Sequence, residues 1–475
     1  MQMHGEGGTG KSTVINLVTK RFEEMNVAHW LRKGAYTGVA SSIIGGSTLH
    51  TLAKISGRGR ISKAARNSLA DLWSNVYYFI IDEISMVDRE FFAKVSRAIS
   101  SVRLQGNSDA AFGSLNVILC GDFHQFPPVV RGNRALFFPA NAHTDSADAV
   151  IGRKLYEQFT TVVILQEQVR TGDTVWRDFL RRLRHGSCTE ADFKMLQRLD
   201  LRSSPVDVTD PRWRDAILVT PRNAMRKLWN KSALRRHCSE TGHRLCKSPA
   251  RDTINGKELT LAQQYQLYRD TADRRLEDEV ELAIGMRTLV TFNLHTELDL
   301  ANGARGTVVD IILHQDEPDI IEDAEEVSLS YPPLYVLVEL DKTKAKQLVG
   351  LPPKVVPIQP WKAFFNAKLG GGTATIERHQ LPLTQAYAFT DYCSQGQTLE
   401  PVLLDLDTPP TGGGISPFNA YVACSRGTGQ ETVRFLRLPE YSLLTTHPSE
   451  ALRDEDKRLE ELDKKTKVVY LQGQS

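Results

Sequence analysis

The stretch that decides the fold is "MHGEGGTGKSTVINLVTK", residues 3–20. Residues 5–12 follow the pattern Gly, four residues, Gly, Lys, Ser, which binds phosphate where it joins a parallel strand to the N-terminus of a helix. Directly after it, Val14, Leu17 and Val18 are spaced to share one helix face. The stretch therefore predicts the first strand, loop and helix of a P-loop α/β domain.

Each part of this loop has its own expected role. The glycines let backbone N–H groups converge on a phosphate, because no Cβ blocks the approach. Lys11 would reach the β- and γ-phosphates, and the Ser12 hydroxyl would bind Mg²⁺. The sequence thus predicts a site for ATP and Mg²⁺ formed by Gly5, Gly7, Gly8, Thr9, Gly10, Lys11, Ser12 and Thr13.

Three apolar runs further along the chain, residues 76–83, 115–122 and 160–168, end in polar residues. Such runs are typical of buried parallel strands, and parallel sheets place ligands at the carboxyl ends of their strands. Asp82 and Glu83 stand at such an end. We expect Asp82 to hold Mg²⁺ through its water shell and Glu83 to orient and deprotonate the attacking water.

Further candidates follow other apolar runs. Gln125, in "GDFHQFPPV", is suited to contact a γ-phosphate and report its loss, since Pro127 and Pro128 stiffen the chain behind it. Arg170 and Arg426 both follow strand-like runs in a second α/β region, and arginines delivered from another domain can stabilise phosphoryl transfer. The predicted catalytic residues are therefore Lys11, Glu83, Gln125, Arg170 and Arg426.

The composition is that of an ordinary globular protein. The 475 residues are 41% hydrophobic and 24% charged, with neither a long apolar run nor a signal peptide, so we expect no membrane span and an intracellular location. The net charge is only +2, so any nucleic-acid site must be a local groove. Basic runs along the chain, taken singly, are typical of solvated helix faces.

The six cysteines form no CxxC pair, which indicates reduced thiols. The cluster of His237, Cys238, His243 and Cys246 has irregular spacing and no second half-site. A basic helix with incidental thiols is the favoured interpretation there, with zinc the weaker alternative.

The patterns of strands and helices divide the chain into segments. The expected segments are a first α/β domain at residues 1–165, a second at 166–285 and 385–445, short β-runs of a small barrel at 286–384, and a charged tail at 446–475 that is either a surface helix or frayed.

Seven motifs in one order carry a resemblance to a family. They are "GEGGTGKS" (5–12), "TGVASSIIGGSTLHTL" (37–52), "IIDEISMVD" (80–88), "ILCGDFHQFPPV" (118–129), "LAIGMRTLVTFN" with "NGARGTVV" (282–309), "CSQGQTL" (393–399) and "YVACSRG" (421–427). The set resembles that of the 5′-to-3′ superfamily-one DNA helicases of the Pif and RecD type, nearest the Pif-like helicases of fungal genomes and Helitron transposons. The resemblance covers roughly residues 5–437.

This resemblance implies two RecA-like domains with parallel sheets, ATP in the cleft between them and single-stranded DNA across their tops. It also implies that residues of about 53–75 form a wedge that splits duplex DNA and that 286–384 form an SH3-like β insertion. Polar groups in the two DNA-contacting segments would grip phosphates without reading sequence. By position, these DNA-binding residues are Thr37, Gly38, His50, Ser394 and Gln395.

Two departures from the family pattern bear on these expectations. The family commonly has His-Lys where this chain has Tyr392 and Cys393, so a positive contact to DNA is expected to be lost. The family's adenine-reading glutamine motif lies upstream of the phosphate loop, where this sequence has only Met1 to His4. We therefore expect a truncated start, with most of the first strand missing and ATP binding weaker and less selective for adenine.

The resemblance predicts a monomeric, ATP-dependent 5′-to-3′ helicase acting on single-stranded and forked DNA, in the nucleus or in mitochondria, with roles in repair, recombination and telomere maintenance. The alternative is a transposon-derived remnant that binds single-stranded DNA with weak or no ATPase activity. A protein-remodelling P-loop ATPase is disfavoured, because it would need neither "CSQGQTL" nor the DNA-contacting segment of the first domain.

Overall fold

The structure, a computed structural model, describes most of the chain: residues 1–55, 63–103, 110–130, 132–141, 143–207, 210–269, 276–295, 298–320, 324–369, 372–409 and 414–473. Two compact units are formed, residues 1–222 with 390–475, and residues 223–389. None of the described helices is both long and apolar enough to cross a membrane.

A parallel sheet organises the chain up to residue 165. Its strands are β1 (Gln2–Gly5), β2 (Leu31–Ala35), β3 (Ser47–Thr48), β4 (Tyr78–Asp82), β5 (Asn116–Gly121) and β6 (Val162–Leu165). The order is β3-β2-β4-β5-β1-β6, and every neighbouring pair is parallel. The predicted parallel α/β fold is confirmed here, and the three apolar runs form β4, β5 and β6.

Strand β1 is an inner strand of this sheet. Gln2 lies beside Leu119 of β5 and Val162 of β6, and the pairing with β6 continues to Gly5. All four residues of β1 are buried. The residues present thus pair on both sides and hold the phosphate loop in the sheet, and the expectation of a truncated start stays a prediction.

Helices connect and cover these strands. They are α1 (Lys11–Glu24), α2 (Gly38–Ile43), α3 (Leu49–Ala53), α4 (Lys63–Trp73), α5 (Arg89–Arg103) and α6 (Ala147–Glu157). In α1, Ile15 is fully buried, and Val14 and Val18 pack in the same cluster as Met3 of β1. Leu17, which was predicted for that apolar face, is 62% exposed. The buried face of α1 therefore includes Ile15 instead of Leu17.

The segment predicted as a wedge, residues 53–75, is described in part. Residues 56–62 of it lie outside the described residues. The remainder includes α4, whose Leu69 and Trp73 are fully buried and whose Trp73 Nε1 donates a hydrogen bond of 3.0 Å to the Leu52 carbonyl. This helix is thus anchored in the core of the domain, and the wedge role stays a prediction.

Residues 166–222 begin a second α/β region. Its elements are α7 (Thr174–Arg184), α8 (Glu190–Arg198), α9 (Pro211–Arg214) and β7 (Ile217–Val219). Asp173 caps α7 by accepting the Trp176 N–H at 3.0 Å, and Trp176 and Phe179 are fully buried. Helices and a strand are therefore both present in this part of the chain, in agreement with the α/β pattern predicted for it.

The second unit is rich in antiparallel strands. Its elements are α10 (Asn223–Thr241), β8 (Leu245–Pro249), β9 (Arg251–Ile254), β10 (Lys257–Glu258), α11 (Leu261–Arg269), β11 (Glu279–Leu282), β12 (Arg287–Val290), β13 (Arg305–Ile312), β14 (Glu326–Ser328), β15 (Tyr335–Leu340), β16 (Val355–Ile358), β17 (Trp361–Leu369), β18 (Gly372–Gln380), β19 (Leu383–Gln385) and β20 (Ala388–Phe389). An antiparallel sheet of order β16-β15-β13-β12-β19 packs around a common hydrophobic cluster. The predicted short β-runs are present, and their SH3-like closure stays a prediction.

The chain then returns to the first unit. The elements there are α12 (Asp391–Ser394), β21 (Val402–Asp405), α13 (Pro417–Cys424), β22 (Val433–Arg437), α14 (Tyr441–Leu444) and α15 (Glu450–Gln472). Strand β21 pairs in parallel with β7 on one side and β22 on the other. This second parallel sheet agrees with the α/β pattern predicted for the region.

The charged tail forms α15, which packs against the first parallel sheet. Leu452 and Leu459 belong to the hydrophobic core of that domain. Asp463 and Thr466 accept hydrogen bonds of 3.0 Å from backbone N–H groups of β6. The side chains of this helix therefore satisfy the open edge of β6, a role that charge pattern alone does not indicate.

Candidate nucleotide-binding site

The phosphate loop connects β1 to α1 in the predicted manner. Gly8 and Gly10 have φ angles of 95° and 84°, a left-handed conformation that glycine adopts without strain. The Lys11 ammonium folds back over the loop and donates hydrogen bonds of 2.6 Å to the Gly5 carbonyl and 3.0 Å to the Glu6 carbonyl. The lysine charge is therefore held at the mouth of the loop.

The first turn of α1 offers unused donors. Gly10 is the N-cap residue and provides no side-chain cap, so the first N–H groups of the helix have no side-chain acceptor there. Ser12 is half-buried and Thr13 is exposed, and both lie in this first turn, while Thr9 donates to the Glu6 carbonyl at 2.9 Å. A helix N-terminus with such free donors favours an anion.

Two carboxylates stand at the end of β4. Asp82 is buried, and its Oδ1 accepts the Glu83 N–H at 2.9 Å. Burial, followed by the charge of Glu83, raises the pKa of Asp82 to about 7. A bound divalent cation would offset this unfavourable negative charge, so Asp82, with the Ser12 hydroxyl, fits the predicted Mg²⁺ site.

Gln125 follows β5 and is 3% exposed. Its backbone N–H donates to the Asp122 carbonyl at 3.0 Å, whereas its side-chain Oε1 is buried without a hydrogen-bond partner among the described residues. A buried amide oxygen without a hydrogen-bond partner lowers the stability of a folded protein. Such groups occur where a ligand or a water molecule completes the hydrogen bonding.

Arg426 is fully buried and directly follows Ser425, the C-cap residue of α13. The expectation that it follows a strand was wrong, because the capping box of Ser416 and the proline at position 417 start a helix. Its guanidinium donates to the carbonyls of Val422, Ser394 and Gln397, among others. None of its bonds within the described structure ends on a carboxylate.

Arg170, five residues beyond the end of β6, lies beside Arg426. Its Nη1 donates to the Ser425 carbonyl at 3.0 Å. A Cβ placed on Gly7 would lie 3.4 Å from Arg426 Nη2, 3.5 Å from Arg170 Nη1 and 3.8 Å from Gln125 Nε2. Three side-chain donors therefore meet directly above the phosphate loop.

The electrostatics of this pair favour an anion. Burial, followed by the charge of Arg170, lowers the pKa of Arg426 to about 9. Burial also lowers the pKa of Arg170. The two positive guanidinium groups repel each other, which raises the free energy of holding both charges in this buried place. A negative group bound between them and the loop would lower that free energy. The residues present thus fit the phosphates of a nucleotide.

Two residues that the sequence did not single out hold the arginine segment to the loop. The Gln168 side chain donates to the Gly7 carbonyl at 2.8 Å, and the Val169 N–H donates to the Gly8 carbonyl at 3.0 Å. A signal for Gln168 was its place two residues before Arg170, but nothing in the pattern indicated a contact with the loop.

The predicted DNA residues of the first domain lie on α2 and α3. Thr37 caps α2 by accepting the Ala40 N–H at 3.2 Å, and Gly38 is buried. His50 is exposed and stacks on Phe91 with ring centroids 4.5 Å apart. The structure thus offers an exposed ring at His50, while the DNA role of these residues stays a prediction.

Ser394 and Gln395 lie beside the nucleotide site. The Ser394 side chain is fully buried and donates to the Asp391 carbonyl at 2.7 Å, so in this conformation its hydroxyl does not face solvent. Gln395 Nε2 donates to Glu83 Oε2 at 3.1 Å. The Ser394 carbonyl accepts from Arg426, so both residues contact side chains predicted for catalysis, and a grip on DNA phosphates stays a prediction.

Comparison with known proteins gives matches in sequence and in fold. The model of the PIF1-like helicase family matches residues 1–192. ATP-dependent DNA helicase PIF1 of Xenopus laevis is 27% identical over 437 residues, which are 91% of this chain. The same-named protein of Emericella nidulans is 26% identical over 94% of this chain.

In sequence the chain is therefore similar to PIF1-like helicases. The fold agrees: the crystal structure of Pif1 helicase from Candida albicans has a TM-score of 0.69, with 22% identity over 96% of this chain and 94% of that one. A Bacteroides Pif1 in complex with ADP-AlF3 and single-stranded DNA has a TM-score of 0.65, with 19% identity over 97% and 93%. The RecA-like α/β fold is thereby confirmed.

This chain spans less than two thirds of the length of the relatives named above. The match covers 58% of the Xenopus relative and 59% of the Emericella relative.

Proposed function

We propose that this chain is an ATP-dependent DNA helicase that hydrolyses ATP as it moves along single-stranded DNA. The observation that carries the proposal is the convergence of Arg170 and Arg426 above Gly7, with no carboxylate partner for either among the described residues. Buried arginines in such surroundings are costly unless an anion joins them. The triphosphate of ATP, held by the loop, would be that anion.

The roles of the residues follow from their positions. Lys11, Arg170 and Arg426 would stabilise the negative charge that develops on the transferred phosphoryl group. Glu83 would hold the attacking water and accept its proton. Asp82 and Ser12 would hold Mg²⁺, which neutralises charge on the phosphate oxygens when it is bound.

Coupling to DNA is proposed to pass through two contacts. Gln395, in the predicted DNA segment, bonds to Glu83, so a shift of this segment would reposition the group that holds the water. Tyr392 stacks on Phe126, which follows Gln125, with ring centroids 4.0 Å apart. The tyrosine that replaces the family's His-Lys pair therefore supports the γ-phosphate sensor instead of adding a charge.

Unwinding in the 5′-to-3′ direction is part of the proposal and rests on the resemblance. Relatives that match over most of this chain are named ATP-dependent DNA helicases. A strand-displacement assay with a 5′ tail, a 3′ tail or a fork tests it directly. We expect ATP-dependent release from the 5′-tailed and forked duplexes; release from the 3′-tailed duplex alone would contradict the proposed polarity.

The second candidate is a single-stranded DNA-binding remnant without useful ATPase activity. It is favoured by the buried Ser394 hydroxyl, which leaves the second DNA segment without that grip in this conformation. DNA binding that persists while neither unwinding nor ATP hydrolysis is detectable would support this candidate over the helicase.

The cellular setting also remains a proposal from the resemblance: a nuclear or mitochondrial monomer acting in repair, recombination and telomere maintenance. One solved relative, with a TM-score of 0.67, is described as two coordinating Pif1 helicases at forked duplex DNA. The dependence of unwinding rate on protein concentration distinguishes the two: a monomer gives a hyperbolic curve and a cooperating pair a sigmoidal one.

A further inference from the structure

Four side chains from distant parts of the sequence meet beside the γ-phosphate sensor. They are His124 after β5, His185 at the C-cap of α7, His447 between α14 and α15, and Asp456 on α15. One candidate ligand atom from each lies within 4.8 Å of the others. Their wide separation in sequence hides this cluster from any motif search.

The hydrogen bonds of His124 raise a question about its protonation. Its ring is buried, and Nδ1 lies 2.8 Å from the Arg184 carbonyl, which can only accept, so Nδ1 carries a proton. Its Nε2 lies 2.8 Å from Asp456 Oδ2, another acceptor. Either the buried ring carries a second proton, or a cation lies between the ring nitrogen and the carboxylate.

The backbone is built for a close approach at this place. Gly186 has a φ of +60°, and a Cβ there would lie 2.3 Å from the Thr446 carbonyl carbon and 2.4 Å from the His447 nitrogen. Only glycine therefore lets the loop that carries His447 pack against the end of α7. This contact brings His185 and His447 to the same side, with their ring centroids 6.4 Å apart.

We propose that His124, His185, His447 and Asp456 bind one transition-metal ion, with Zn²⁺ as the best match. Zn²⁺ takes imidazole and carboxylate ligands in a tetrahedron, in which ligand atoms lie about 3.3 Å apart. Small side-chain rotations bring atoms that now lie within 4.8 Å to that spacing. The bond from His124 Nδ1 to the Arg184 carbonyl is the orienting contact that metal-bound histidines usually have.

The surrounding charges fit neutral imidazoles. Burial, followed by the His124 ring, lowers the pKa of His185 to about 4, and burial also lowers the pKa of His447. His447 Nδ1 accepts the Ser449 N–H at 3.2 Å. The nearby Arg184 is neutralised by Asp122, with 2.6 Å between their charged atoms.

The ion would join α15 to the loop that carries Gln125. That loop follows β5, and within it His124 directly precedes Gln125. The metal would therefore fix Gln125 against α15. The site is outside the proposed ATP and DNA machinery, and its occupancy can be measured without any assay of activity.

The test is a Zn²⁺ titration of the full chain after treatment with a chelator, read by competition with a chromophoric indicator. We expect one Zn²⁺ per chain, and a loss of affinity of ~100-fold or more in the double variant His185→Ala/His447→Ala. His143→Ala is the matched control, because His143 is an exposed histidine of the same unit outside the cluster, and it should bind Zn²⁺ like the parent.

A second variant guards against misfolding. Asp456→Asn keeps the shape of the side chain and should also lose Zn²⁺, while its circular dichroism stays that of the parent. With Co²⁺ in place of Zn²⁺, the parent should show the visible absorption of a tetrahedral ion and the variants should not. Equal Zn²⁺ binding by parent and variants, or no stoichiometric binding by the parent, would overturn the site and leave a buried imidazolium paired with Asp456.

Discussion

Two arginines of the same unit, the partly buried Arg184 and the fully buried Arg426, have opposite electrostatic surroundings. Arg184 contacts both carboxylate oxygens of Asp122 at 2.6 Å, and although burial opposes it, Asp122 raises the pKa of Arg184 above its ordinary value. Among the described residues, the hydrogen-bond partners of Arg426 are carbonyl and hydroxyl oxygens, and burial with the charge of Arg170 lowers its pKa to about 9. One charge is compensated within the protein and the other is not.

This difference separates a structural arginine from a functional one. A buried ion pair is complete without a ligand, and removing one partner leaves the other charge stranded. A buried cation that lacks a counter-charge costs stability in the empty protein and recovers it when an anion binds. We therefore expect substitution of Arg184 to affect mainly folding and substitution of Arg426 to affect mainly catalysis.

The largest effect is expected for Arg426→Ala. Because this guanidinium would act on the charge that develops in the transition state, kcat for ATP hydrolysis should fall by ~10³-fold or more, with KM for ATP changed only a few-fold. The melting temperature should not fall, since an uncompensated buried charge is removed. Steady-state kinetics and a thermal melt check both; a loss of ATP affinity alone would mean that the residue only binds.

Arg184→Ala should show the reverse. It leaves the buried Asp122 carboxylate without its partner, and we expect the free energy of unfolding to fall by about 3–5 kcal/mol. Urea denaturation of both variants at the same pH measures the contrast. If Arg184→Ala is as stable as the parent, compensation by Asp122 is not what distinguishes the two arginines.

A third prediction concerns the acidic side of the site. The pKa of Asp82 is raised to about 7, so between the unfolded value near 3.9 and pH 7 the folded state binds the extra proton. Its contribution to stability is therefore fully present at low pH and lost as pH rises through 7. Without Mg²⁺ and nucleotide, Asp82→Asn should be more stable than the parent at pH 8. The difference in the free energy of unfolding should be smaller at pH 5. A pH-independent difference in urea midpoints would contradict this.

The smallest effect is expected for Gln395→Ala. This change removes the bond to Glu83 but no charge, so ATP hydrolysis without DNA should stay within a few-fold of the parent. Stimulation by single-stranded DNA should fall by about tenfold, roughly the size of one lost hydrogen bond to a charged group. Tyr392→Phe, which keeps the stack on Phe126, is the control and should keep its stimulation. Unchanged stimulation in Gln395→Ala would remove this contact from the coupling route.

The sequence predicted the features that local patterns determine. The phosphate loop, the acidic end of β4 and the apolar strands were found because their residues are adjacent in the chain. It misplaced Arg426 after a strand, since "YVAC" is as apolar as a strand and the helix is set by a capping box and a proline further upstream. The apolar composition of a short run cannot distinguish these two structures.

The remaining features depend on contacts between distant residues. The cover of β6 by Asp463 and Thr466 needs the docked position of α15, which a balanced charge pattern does not specify. The same holds for the bond of Gln168 to the phosphate loop and for the histidine cluster around Asp456. Only the folded arrangement brings these groups within bonding distance.

DNA-stimulated ATP hydrolysis at the phosphate loop is tested most directly by steady-state ATPase rates of the full chain. The rates are measured with and without single-stranded DNA, for the parent and for Lys11→Ala. We expect DNA to raise the ATPase rate of the parent many-fold. Lys11→Ala, which loses the loop's ammonium, should have no detectable turnover while still binding DNA within a few-fold of the parent. An ATPase rate that DNA leaves unchanged, or that survives in Lys11→Ala, would contradict these expectations.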